Sequence, residues 1–217
     1  MSDKNKTDFE KRPRIIEVAN GVKNRGHFIN LDNLENWRKK QDDTGLYSSF
    51  FRYFTDDPYI GGVLAGFGLD FDDSENPRKA QKEALTTTKY LMSRFNLHEE
   101  DISVCFSGNK GFHVFVNHHV LGVEPHYFLP QIFKGMAQEL TKQHQLKTLD
   151  LKIYERRRLL RLPNTKHEKS GLYKIPLTLS ELEMLSIDQI RALATKPRPH
   201  VARGVEHKES VAAKQWY

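Results

Sequence analysis

The 217-residue chain carries 38% hydrophobic and 29% charged residues, a formal charge of +6 and a pI near 9.3. This reads as one globular domain, or a domain with an appendage, large enough to bury a core; the basic excess is compatible with a polyanionic partner but does not require one. The single cysteine, Cys105, excludes an internal disulfide and a cysteine-built zinc site; no run approaches ~18 apolar residues, which excludes a membrane helix, and the polar opening MSDKNKTDFEKRPR lacks the apolar core of a secretory signal, so a cytoplasmic, reducing setting is expected.

In chain order, residues 1–14 are a polar N-terminus expected to be ordered only in part. Residues 31–41 read as a helix opened by Asn30 or Asp32. The aromatic segment 47–54 reads as helical, with Tyr47, Tyr53 and Phe54 favoured as core packing over nucleotide or template contact. Residues 62–72 alternate as a strand, with Val63, Ala65, Phe67, Leu69 and Phe71 on one face. Ser74 is placed to cap a helix over 75–95 with Pro77 in its first turn. Segments 102–106 and 112–117 are strands joined by the turn Ser-Gly-Asn-Lys-Gly, a hairpin with a glycine-rich, basic tip. Cys105 sits in the first of them, in the apolar run Ile-Ser-Val-Cys-Phe, as a small buried hydrophobe and not a nucleophile. Phe128, Ile132, Met136 and Leu140 give 124–143 helical spacing. Segments 149–154, 159–162 and 173–178 read as short strands. Ser180 with Glu183 reads as a capping box, a second short helix follows over 188–194, and Pro197 and Pro199 end regular structure. Residues 15–195 thus form one domain and 196–217 a polar tail or linker. The order of elements predicts an α+β (mixed α/β) fold and not a doubly wound sheet.

Three segments carry the residue types of chemistry. Asp70 and Asp72 stand two apart at the end of a strand, so both carboxylates share the face opposite Leu69 and Phe71. Like charges that close repel unless a cation lies between them, and hard oxygen ligands suit Mg²⁺ or Mn²⁺. Gly66 and Gly68 share that face and leave room for an approaching group. An ordinary solvated strand end has the same pattern. In the second segment, Gly108 and Gly111 permit a tight turn whose N–H groups, with Ser107 and Lys110, suit phosphate oxygens. His113 lies on the polar side of the returning strand, out of phase with Phe112 and Val114. The spacing is not that of a Walker A loop, and an ordinary hairpin turn remains the plain alternative. The third segment, 150–171, sets seven Lys or Arg against three acidic residues, interleaved with Ile153, Leu159, Leu160 and Leu162. Cations anchored in this way favour phosphate or nucleic acid. Arg158 and Arg161 cannot both follow strict alternation, so one of them sits in a turn.

Taken in order, these segments resemble the three motifs of the archaeo-eukaryotic primase superfamily. Leu-Asp-Phe-Asp ending at Asp72 matches the acidic-x-acidic strand. Ser107 through His113 match Ser-Gly-x-Lys-Gly-x-His throughout. Asp150, Tyr154, Arg158 and Arg161 are similar to the third motif, and Lys166 lies near the family's later phosphate-binding lysine. The likeness spans about residues 45–178. It implies a catalytic core of two small α/β modules around a central cleft. It also implies Asp70, Asp72 and Asp150 as ligands of two divalent ions, Mg²⁺ or Mn²⁺. Ser107, Gly108, Lys110, His113, Arg158, Arg161 and Lys166 would then hold a nucleoside triphosphate. The implied activity is a primase-polymerase working on a single-stranded DNA template, with a helicase or further domain in a longer parent protein or on another chain.

Replicative small primase subunits place a zinc module between the second and third motifs. Here that interval, 114–149, has no cysteine, and His118, His119, His126 and His144 lack thiolate partners, so no zinc is expected. The resemblance is therefore to compact primase-polymerases of bacteria, plasmids, phages or defence systems, or to repair-type polymerase domains. Two other readings fit parts of the chain. Gly-Asn-Lys-Gly matches the Gly-x-x-Gly loop of a KH-like, non-catalytic binder of single-stranded nucleic acid, which needs a helix on each side. A metal-dependent nuclease also clusters carboxylates. Residues 1–45 carry no motif.

Overall fold

Short runs rich in β-branched and aromatic residues pair into sheets, and the longer amphipathic runs cover one of them. The computed structural model describes residues 12–199. Its elements are β1 (Ile15–Asn20), β2 (His27–Asn30), α1 (Leu34–Arg38), β3 (Leu46–Ser49), β4 (Phe67–Asp72), α2 (Pro77–Phe95), β5 (Ile102–Phe106), β6 (Gly111–Val116), α3 (Leu129–His144), β7 (Leu159–Arg161), β8 (Ile175–Leu177), α4 (Leu179–Met184) and α5 (Ile187–Leu193). Two four-stranded antiparallel sheets result, in the orders β2-β1-β3-β7 and β4-β6-β5-β8. With five helices among the described residues, the fold is α+β, as the order of elements implied.

The core lies between the second sheet and its helices. Phe67, Leu69 and Phe71 of β4, with Phe112 and Val114 of β6, are fully buried against Ala80, Ala84 and Leu91 of α2 and Leu129, Phe133 and Ala137 of α3. Each large side chain so buried contributes roughly 1.5–3 kcal/mol. None of the described helices is long and apolar enough to cross a membrane. Cys105 is a buried free thiol, as its apolar run implied.

Several local readings are corrected. The segment over 47–54 begins as strand β3, not helix, because it is sandwiched between β1 and β7 and takes hydrogen bonds on both edges; tertiary pairing overrides local preference. Tyr47 and Tyr53 are buried core, as expected, while Phe54 is exposed. Segment 149–154 is not a strand. Leu149 makes one bridge to Phe71, and Leu151–Tyr154 then form a 3₁₀ turn. Asn76, not Ser74, caps α2, because its side chain reaches Lys79 N. Helix α3 starts at Leu129, five residues later than its spacing alone implied, with Pro130 in its first turn. The capping box of α4 is Thr178 with Glu181, two residues before Ser180, and Ser186 with Gln189 forms another for α5.

The N-terminal strands carry no motif in the sequence, yet β1 is an inner strand of its sheet. Its Glu17 is fully buried. The carboxylate accepts from Arg25 Nε (3.2 Å) and Nη2 (3.0 Å), Arg157 Nε (3.2 Å) and Nη2 (2.8 Å) and Gly26 N–H (3.0 Å). Burial pushes its pKa up, but these hydrogen bonds outweigh burial and bring it down to about 2.

Candidate functional site

The register of β4 against β6 builds the first part of the site. Asp70 pairs with His113 and Asp72 with Gly111. Directly opposed residues share a face, so Asp70, Asp72 and His113 all look away from the core. Gly111 is required there, because a Cβ would lie 2.0 Å from Asp72 Oδ1 and 2.3 Å from Phe71 O. Gly68 does not leave the expected room. The rings of Phe50 and Phe115 occupy that space, 2.7 and 2.9 Å from where its Cβ would stand, and a Cβ at Gly66 would meet Val116 O.

Asp150 arrives from a different element. Segment 148–150 runs along the free edge of β4, through Asp72 N→Thr148 O (2.8 Å) and Asp150 N→Asp70 O (2.8 Å). Glu83 of α2 holds that segment by accepting from Lys147 N, Thr148 N and Thr148 Oγ1 at 2.8–3.1 Å. Glu83 had no sequence signal, since a carboxylate on a helix face is normally solvated. Asp150 caps the 3₁₀ turn through Lys152 N (2.9 Å), and Tyr154, closing that turn, donates to Gly68 O at 2.7 Å.

The three carboxylates share one electrostatic neighbourhood. Asp70 is 5% exposed. Burial, then the charges of Asp72 and Asp150, raise its pKa to about 7. Its Oδ1 is buried and accepts no hydrogen bond; His113 Nε2 lies 3.3 Å away. Each carboxylate faces a base, with Lys110 Nζ 3.3 Å from Asp72 Oδ2 and Arg158 Nη2 3.2 Å from Asp150 Oδ2. Among the described residues, no three His, Cys, Asp or Glu side chains stand close enough to form a ready metal cage. An orphaned buried carboxylate oxygen within a set of repelling hard oxygen donors nevertheless fits a divalent ion in chemistry.

The hairpin tip is closed by Ser107 N→Gly111 O (2.9 Å) and Gly111 N→Ser107 Oγ (3.1 Å). The Ser107 hydroxyl thus closes the turn as an acceptor, and its own O–H donates to no acceptor among the described residues. Gly108 has φ +87°, and a Cβ there would meet Leu172 O at 2.8 Å, so the position needs glycine. Among the described residues, the N–H groups of Gly108, Asn109 and Lys110 donate to no protein acceptor. Successive free amides beside a lysine make an anion-binding concavity.

The basic segment divides its work. Arg156 bonds the carbonyls of Pro58, Gly61 and Tyr127, and Arg157 serves Glu17, so these two staple the fold. Arg158 lies in the turn before β7 and reaches Asp150. Arg161, on β7, donates to Ser107 O (2.8 Å) and Tyr47 Oη (3.0 Å) and pairs with Glu168 (3.4 Å). It therefore clamps the hairpin tip to the other sheet. Lys166 is bridged through its backbone to Thr44 and Tyr173, and its ammonium lies 5.3 Å from the Tyr173 ring centre; it has no ion pair in the described structure. Ser170 Oγ donates to Gly108 O at 2.5 Å, which lays segment 166–172 over the tip. His167, on that strap, has a lowered pKa, from burial and then the Arg161 charge, while Glu168 and Asp72 act against them. Neither His167 nor Lys174, which is buried between Arg161 and His113, carries a motif in the sequence.

A cleft of about 690 Å³ between the sheets is lined by Phe50, Arg52, Phe115, Arg161 and Lys174. It reaches the arginine side of the site; the three aspartates do not line it. No protein-family model matches the chain, and no curated protein is significantly similar to it.

Proposed function

We propose that the chain is a primase-type nucleotidyl transferase that joins nucleoside triphosphates on a single-stranded DNA template. The observation that carries this reading is the shared electrostatic neighbourhood of Asp70, Asp72 and Asp150 beside the basic tip with its free amides. Carboxylates alone fit many hydrolases; carboxylates beside a phosphate cradle fit transfer from a triphosphate.

The roles follow from position. The amides of Gly108, Asn109 and Lys110 receive the phosphate oxygens. Lys110 and Arg158, which pair with Asp72 and Asp150 in the described structure, would turn to pair with the triphosphate instead. Arg161 acts through the Ser107 carbonyl, holding the tip in place. Asp70, Asp72 and Asp150 would hold Mg²⁺ or Mn²⁺, and the ion would supply Lewis acidity toward the phosphate oxygens. His113 faces the same space as Asp70. A KH-like binder is disfavoured because strands β5 and β6, not helices, flank the Gly-x-x-Gly loop.

The test is synthesis on single-stranded DNA with labelled nucleotides and Mn²⁺ or Mg²⁺. Template-dependent oligonucleotides, or extension of an annealed primer, are expected. Binding of DNA with no product would favour the binding module, and shortening of labelled DNA without nucleotides would favour a nuclease.

A further inference from the structure

Lys174 is 2% exposed, immediately before β8, and among the described residues it has no carboxylate partner within ion-pair range. Its backbone is fixed on both sides, by Lys174 N→Thr165 O (3.0 Å) and Asn164 N→Lys174 O (2.7 Å). Its ammonium contacts the Arg161 carbonyl at 2.8 Å and His113 Nδ1 at 2.9 Å, and lies 5.5 Å from the Phe115 ring centre. Burying an ammonium is costly unless its protons are used, and here two are committed to named acceptors and the third side meets a ring face.

An ammonium has three N–H bonds and no lone pair. The 2.9 Å contact therefore requires His113 Nδ1 to accept. A neutral imidazole that accepts at one nitrogen carries its proton on the other. We propose that Lys174 is a positioning residue that fixes the His113 tautomer with the proton on Nε2, the nitrogen 3.3 Å from Asp70 Oδ1. The same ammonium, bonded to the Arg161 carbonyl, ties that tautomer to the strand whose arginine clamps the hairpin tip. The site then offers a donor, not a lone pair, to an anionic oxygen. Resting on the reading proposed above, that oxygen is a phosphate oxygen of the nucleoside triphosphate.

The test is the ¹⁵N spectrum of histidine-labelled full chain, with His113 assigned by loss of its signal in His113→Gln. The expected pattern is a protonated Nε2 and a lone-pair Nδ1. Lys174→Met is expected to mix or reverse the tautomers and to raise the KM for nucleoside triphosphate about tenfold (on the order of one lost charge-assisted hydrogen bond). A proton on Nδ1 in the unmodified chain, or an unchanged pattern in Lys174→Met, overturns the assignment. Should that variant not fold, the spectrum of the unmodified chain still decides. A shifted tautomer with unchanged KM overturns the donor role. The spectrum is read without nucleotide, so a chain that makes no polymer contradicts the proposed function and leaves the tautomer result standing.

Discussion

Asp70→Asn is expected to lower nucleotide incorporation by about three orders of magnitude or more, as loss of a group acting directly on the transition state does, and yet to stabilise the folded chain above pH 7. The second half follows from the environment of Asp70. Its carboxyl is buried, Oδ1 accepts no hydrogen bond, and burial together with Asp72 and Asp150 raises its pKa from 3.8 to about 7. The folded chain thus keeps a proton that the unfolded chain has already lost. Stability accordingly falls as pH rises from about 4 to about 7 and stays reduced above that. Asparagine cannot ionise and removes this loss. At pH 8 the variant is expected to be more stable by on the order of 4 kcal/mol, with the difference vanishing below about pH 4. Mg²⁺ or Mn²⁺ is expected to stabilise the unmodified chain more than the variant. Thermal unfolding across pH, with and without the ion, checks both. A variant less stable than the parent at pH 8 would mark Asp70 as a structural carboxylate.

Glu17→Gln is expected to act in the opposite sense. It keeps the shape of the side chain but withdraws the charge on which Arg25 and Arg157 converge. Breaking such a buried group costs about 3 kcal/mol near pH 7. Here the folded-state pKa lies below the unfolded one, at about 2 against 4.5. The stabilisation is therefore present above about pH 5 and disappears as pH falls toward 2. The unmodified chain should show this acid loss and the variant should not, so the two converge near pH 2. Denaturant unfolding at pH 7 and pH 3 measures it; a difference under about 0.5 kcal/mol at pH 7 contradicts the ledger of hydrogen bonds at Glu17.

The two carboxylates test different kinds of legibility. Asp70, Asp72 and His113 could be read from the chain because strand periodicity puts them on one face, and the β4–β6 register does bring Asp70 opposite His113. Asp150 was read on a strand. It reaches Asp70 through an edge segment held by Glu83, a long-range hydrogen bond that no local pattern encodes. Ser107 carries a second role that no local pattern encodes, since its hydroxyl oxygen also accepts from Gly111 N–H and closes the turn. Arg156 and Arg157 were part of a basic run, and only the tertiary structure shows that they staple loops and Glu17. Glu17 and Lys174 left no mark because a lone charged residue in a strand-like run looks solvated until its partners are placed. The α+β class was legible because it depends on element order, which the turns and periodicities report.

The most direct measurement for the proposed site is a structure of the full chain with Mn²⁺ and a non-hydrolysable nucleoside triphosphate. The expected result is metal bound by Asp70, Asp72 and Asp150, Lys110 and Arg158 turned from the carboxylates onto phosphate, and phosphate oxygens on the amides of Gly108, Asn109 and Lys110. Nucleotide bound away from the hairpin tip, or metal density absent from the three aspartates, would contradict it.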